Sequence, residues 1–160
     1  MSTSFPILVN YTQVVAFCRS LERPGLLWTD DHVAQGFACN NRIACFGVPD
    51  HDGECLLEVD LEATQASLTV DVSLWAIAVP FNADGSQLRI GTVLDDKPFT
   101  LAAGLYRLVF EAHPARSENG TDYTYVLIFR FIHAEHAEFE ILKQGSLSSG
   151  KVLRTTADPA

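Results

Sequence analysis

Cys55-Leu56-Leu57-Glu58-Val59-Asp60-Leu61-Glu62 alternates apolar and acidic residues from Leu57 onward. Successive side chains of a strand leave opposite faces, so the stretch predicts a half-buried strand. Leu57, Val59 and Leu61 make its dry face, and Glu58, Asp60 and Glu62 its wet one. The period of two extends in both directions. Upstream, 7–17 is an apolar, β-branched run and 43–46 a shorter one. Downstream, 67–81 sets Leu68, Val70, Val72 and Leu74 against Thr69, Asp71 and Ser73. From Trp75 both faces are apolar, which predicts cover on both sides, and Pro80 should end the pairing or mark an edge. Further strands are expected over 88–93, 98–101, 105–111, 123–133 and 137–142. Turn pairs separate them: Asp52-Gly53, Asp84-Gly85, Ala103-Gly104 and Asn119-Gly120. Only 29–36 reads as helix, with Thr29 as N-cap, Asp30 and Asp31 in the first turn and Gly36 as terminator. About eight or nine short strands with turns between them predict an all-β fold. The expected architecture is an antiparallel, jelly-roll-like β-sandwich with one short helix near residues 30–36. Residues 1–144 are expected to form this single domain, and the Gly/Ser-rich stretch 145–160 a flexible C-terminal tail.

The 160 residues are 48 % hydrophobic, enough for a core and too apolar for intrinsic disorder. No apolar run reaches the roughly 20 residues that span a bilayer, and the start lacks the pattern of a secretory leader. The chain therefore reads as a cytoplasmic protein. Cys18, Cys39, Cys45 and Cys55 have no CxxC spacing and are expected to be free, buried thiols.

Twenty acidic and eleven basic residues give a net charge of −9. Binding to nucleic acid or to an anionic membrane needs the opposite sign, so neither is expected. Between Arg42 and Arg89 there is no Lys or Arg, while Asp50, Asp52, Glu54, Glu58, Asp60, Glu62, Asp71 and Asp84 all fall there. On one strand Glu58, Asp60 and Glu62 would stand about 6.6 Å apart on a common face. Such a surface can steer a cationic partner. It can equally be a solvated face that favours solubility.

No catalytic motif is present: no Gly-x-Ser-x-Gly, no P-loop, no Gly-x-Gly-x-x-Gly. His133 and His136 would point apart on a strand, so they do not make a metal pair there, and His32, His51 and His113 are isolated. The acidic turn from Asp50 to Glu54 lacks EF-hand spacing. Neither an enzyme, nor a metal site, nor a cofactor is expected.

Trp28-Thr29-Asp30-Asp31, followed by Gly36-Phe37 and the short strand Ile43-Ala44-Cys45-Phe46, resembles the competence J (ComJ) family of DNA-entry nuclease inhibitors. Val79-Pro80-Phe81 with Gly85 and Ile90 is similar to a strand and hairpin of that family. Phe99-Thr-Leu-Ala-Ala-Gly104-Leu-Tyr106-Arg-Leu108 is similar to its Phe-x-Leu-Pro-x-Gly-x-Tyr-x-Leu segment, with Ala102 in place of proline. The resemblance spans about 7–133, and the acidic segment around 50–62 has no close counterpart in it.

The resemblance implies a protein that inhibits a nonspecific, metal-dependent DNA nuclease by binding it, in competence or in immunity to a toxin. The expected contact residues are Trp28, Asp30, Asp31, Asp50, Asp52, Glu54, Glu58, Asp60 and Glu62. Trp28 has two readings, an interface anchor or a core residue closing the sandwich. Asp30 and Asp31 likewise serve either a partner or the helix N-terminus. The alternative function is a β-sandwich module for a small ligand or carbohydrate, whose binding would barely respond to salt.

Overall fold

The computed structural model describes residues 2–9, 11–20, 25–40, 42–48, 54–92, 94–148 and 152–160. Its strands are β1 (Ser2–Leu8), β2 (Gln13–Cys18), β3 (Phe37–Cys39), β4 (Ile43–Gly47), β5 (Glu54–Asp60), β6 (Trp75–Ala83) and β7 (Leu88–Gly91). They continue with β8 (Asp96–Phe99), β9 (Gly104–His113), β10 (Arg116–Glu118), β11 (Thr121–Tyr123), β12 (Val126–His133) and β13 (Glu140–Lys143). The helix α1 (Asp30–Gln35) lies between β2 and β3. One sheet has the order β1-β5-β12-β9-β6-β13 and a second β3-β4-β2-β7-β8, while β10 and β11 form a separate hairpin. The ladders are antiparallel except for β5 with β12. The expected all-β sandwich with one short helix is thus the observed class.

Alternation explains how the sheets meet. Leu57 and Val59 of β5 face inward with Leu108 and Phe110 of β9, and with Ala16 and Phe46 of the smaller sheet. Phe46 stacks on Phe110 at 4.5 Å, and Phe129 of β12 meets both edge-on at 5.6 and 5.5 Å. Each such pair adds about 0.5–1.5 kcal/mol beyond its burial. The four cysteines are free and buried. Burial pushes the thiol pKa up, to about 12 at Cys45 and about 11 at Cys55, which leaves these sulfurs unreactive.

Two expectations about strands need correction, and the two readings of Pro80 resolve to the edge. The 7–17 run is two strands, because Tyr11 and Thr12 adopt left-handed φ of 58° and 52° where the chain passes from one sheet to the other. The alternation at 68–74 is not a strand. It forms a 3₁₀ turn, Val70–Val72, just after another at Gln65–Ser67, because its polar groups are taken elsewhere. Glu111 on β9 accepts from the N–H and hydroxyl of Thr69, and the Lys143 ammonium donates to the carbonyls of Asp71 and Ser73. Pro80 does not end β6, which continues to Ala83. It lies beyond the last β13 partner of β6, Ala78, and so occupies a local edge that needs no N–H.

Described residues at the end of the chain meet both the main core and the segment before α1. Leu147 is buried in the main core. Leu26 bridges Pro159, with hydrogen bonds from Leu27 N–H to the Asp158 carbonyl (2.8 Å) and from Ala160 N–H to the Gly25 carbonyl (3.1 Å). Among the described residues no helix is long and apolar enough to cross a membrane.

Candidate partner interface

Thr29 caps α1 as its sequence predicts. Its hydroxyl accepts from His32 N–H, and its own N–H donates to His32 Nδ1 at 2.9 Å. Because Nδ1 accepts, Nε2 carries the proton and donates to the Thr156 carbonyl, also at 2.9 Å. Gln35, equally buried, donates to the carbonyls of Phe37 and Arg154 and accepts from Arg154 N–H. Two buried polar side chains thus tie the helix to the C-terminal segment, a role the sequence reading did not assign to either. Gly36 ends the helix at φ 84°, where a Cβ would come within 2.7 Å of Leu147.

Trp28 packs on the fold and lines a groove open to solvent. It is half-buried and packs on a second apolar cluster, formed by Val15, Phe17, Leu26, Ala38, Ile43 and Cys45 on the outside of the smaller sheet. Its ring lies over Gly47, 3.7 Å from where a Cβ would be. It also lines an open, mainly apolar groove of about 310 Å3, bounded by the 11–13 turn, Val33 on α1, and Gly47 with Val48. Two of its lining residues, Tyr11 and Val33, are 68 % and 65 % exposed. The indole Nε1 of Trp28 and the amide oxygen of Gln13 are shielded from solvent without a hydrogen-bond partner among the described residues.

The expected acidic row separates into different environments. Asp30 is exposed, and Asp31 is exposed but paired with Arg154 at 2.9 Å. Glu54 begins β5 opposite Leu8, at the end of the sandwich where the 11–13 turn crosses between the sheets. Glu58 meets Arg116 at 3.2 Å. Asp60 is buried, lies opposite Arg130 across the parallel ladder and approaches it at 3.8 Å. Glu62 does not continue the row. β5 stops at Asp60, whose carboxylate accepts the Glu62 N–H in a turn, and Glu62 is exposed near Leu101 and Tyr106. Asp50 and Asp52 lie outside the described residues.

One charged group was not singled out from the sequence. Glu111, fully buried on the outer face of the larger sheet, accepts from His113 Nε2 (2.8 Å), from Thr69 twice and from Arg130 Nε (3.1 Å). Burial pushes its pKa up, but the bonds from His113 and Thr69 and the Arg130 charge outweigh it and bring the pKa down to about 2. A buried carboxylate so fully partnered is a brace, closing the 3₁₀ segment onto β9 and β12. Among the described residues no group of three or more His, Cys, Asp or Glu is placed to hold a metal ion.

Comparison with known proteins agrees with this architecture. The model of the Competence protein J (ComJ) family matches residues 6–132. The chain belongs to the ComJ family. Its fold is similar to the crystal structure of ComJ from Bacillus subtilis, described as the inhibitor of the DNA degrading activity of NucA. The TM-score is 0.63 at 21 % identity, covering 81 % of this chain and 96 % of that one. It is also similar to a protein described as crocagin biosynthetic gene J, with TM-score 0.51, 13 % identity, and 81 % and 94 % of the two chains covered. No curated protein matches the sequence. The segments that carry the family likeness are chiefly core: Val79, Phe81 and Leu108 are buried, and the Tyr106 hydroxyl donates to the Ala102 carbonyl at 2.9 Å. The family match stops before β13 and the C-terminal segment that holds α1.

Proposed function

We propose that this chain is a protein inhibitor of a nonspecific, metal-dependent DNA nuclease, in DNA uptake or as immunity to a toxin. It acts by stoichiometric binding, with no reaction of its own. The observation that carries this reading is membership of the ComJ family across residues 6–132. The net charge of −9 supports it physically. A nuclease cleft is cationic because it holds phosphates, so an acidic protein meets it fast and competes with DNA. Of the residues offered as contacts, Asp30, Asp31, Glu54 and Glu62 expose their carboxylates.

The test is capture followed by inhibition. The immobilised chain, exposed at low salt to an extract of its source cells, is expected to retain a protein that degrades plasmid DNA. Soluble chain added at equimolar amount should then stop the degradation. Retention of no such activity, with a sugar or small ligand carried through purification, would move the reading to a ligand-binding sandwich.

A further inference from the structure

From the groove beside Trp28 we infer that the partner inserts an apolar or aromatic side chain there, carried on a positively charged loop. This deepens the nuclease reading and rests on it. The first argument is the apolar surface. Tyr11 and Val33 belong to different elements and are both about two-thirds exposed, yet they bound one groove whose wall includes Trp28. A large exposed apolar side chain is ordinary singly; two lining one groove together with an indole describe a receptor for an anchor.

The second argument is charge. Asp30 precedes Val33 by three positions, so the two share a face of α1 one turn apart. Asp30 is exposed and has no ion pair among the described residues, whereas Asp31 already holds Arg154. Glu54, also exposed, stands opposite Leu8 at the crossover that leads to Tyr11. Among the described residues the groove's lining carries no charge, exposed carboxylates stand one helical turn from Val33 and at the crossover before Tyr11, and the complement of this arrangement is a cationic loop with an apolar tip. A protein that binds DNA phosphates has such cationic loops; a neutral peptide or a second copy of this acidic chain does not match those carboxylates. Charge supplies encounter and the groove supplies residence time.

The experiment uses the full chain and, as probe, the DNA-degrading protein retained by the immobilised wild type, assayed on plasmid DNA. Val33→Asp and Tyr11→Ala alter exposed side chains, and unchanged melting curves establish that both variants fold. Each is expected to raise the concentration for half-inhibition about 30-fold, the scale of an interface anchor. Val72→Asp, at an equally exposed apolar residue on the 3₁₀ segment, is expected to inhibit as wild type. Should wild type, Val33→Asp and Tyr11→Ala inhibit equally, the groove is not the anchor site, while the nuclease reading stands. Should wild type inhibit nothing, both fall. Should the groove variants only convert a wild-type dimer to monomer in sedimentation, with inhibition intact, the occupant is a second copy and the inference is overturned.

Discussion

Two regions are acidic, and they differ in what their carboxylates face. On the outside of the larger sheet Glu58 meets Arg116, Asp60 meets Arg130, and Glu111 is enclosed by Arg130, His113 and Thr69. At the groove end Asp30 stands in solvent beside an exposed valine. A carboxylate that already has its cation contributes to the fold and little to an external field. One without a cation, next to apolar surface, offers a partner both steering and an anchor. Charge counted along the sequence cannot separate these cases, because the neutralising arginines come from β10 and β12, more than fifty residues after β5.

The largest expected effect tests the braced region. Glu111→Gln leaves the partly buried Arg130 with only the more distant Asp60 carboxylate, at 3.8 Å, and Thr69 without an anionic acceptor. Urea unfolding should show a loss of about 3–5 kcal/mol. The folded fraction should still inhibit at wild-type concentration. A stable variant that no longer inhibits would reverse the roles of the two regions.

Acid titration sharpens the same point. The Glu111 pKa falls from about 4.5 in the unfolded chain to about 2 in the folded one, so the unfolded state binds the proton first. Its contribution is complete above the unfolded value and is lost as pH drops from about 4.5 toward 2. Denaturant midpoints measured across that window should decline in wild type and decline less in Glu111→Gln. A residual slope is expected, because hydrogen bonds from Ser20 and Ser86 also hold the Asp84 carboxyl well below its usual range.

Trp28→Ala probes where packing and binding meet. The indole covers the outer cluster but is only half-buried, so calorimetry should show about 2 kcal/mol lost, less than for a fully enclosed tryptophan. Trp28→Phe should regain most of the stability. If binding is lost in both while Phe restores the fold, the indole itself contacts the partner.

The fold was legible because β5, β9 and β12 are apolar, β-branched runs bounded by turn residues, with inward Leu57, Val59, Leu108, Phe110 and Phe129 two residues apart on their strands, and because Thr29 and Gly36 bracket a helix with standard caps. The 68–74 segment misled because alternation records which side chains face outward, not whether the backbone has a neighbour to pair with. Glu111 lies within a predicted strand at an outward position, where a glutamate is ordinary. Its burial arises only when Thr69 folds over it from forty-two residues away. His32 and Gln35 were equally silent, since their partners Thr156 and Arg154 lie in a stretch whose composition suggests fraying. The groove needed three separate chain segments to come together. Asp30 and Trp28 could be named from the sequence; Tyr11 and Val33, on which the groove inference now rests, could not.

The smallest effects discriminate best between a local and a global role for charge. Asp30→Lys removes one favourable acid from a helix start, worth about 0.3–1 kcal/mol, and should leave the fold intact. Glu62→Lys changes the net charge equally, just past the end of β5 that lies about 20 Å along the strand from Glu54, with stability within about 0.5 kcal/mol of wild type. Stopped-flow association with the nuclease at low salt should be several-fold slower for Asp30→Lys and unchanged for Glu62→Lys. At about 1 M salt, where the screening length falls to about 3 Å, the difference should vanish. Equal slowing by both variants would mean that the partner responds to the whole field of a −9 protein, and the distinction between the two acidic regions would then concern folding alone.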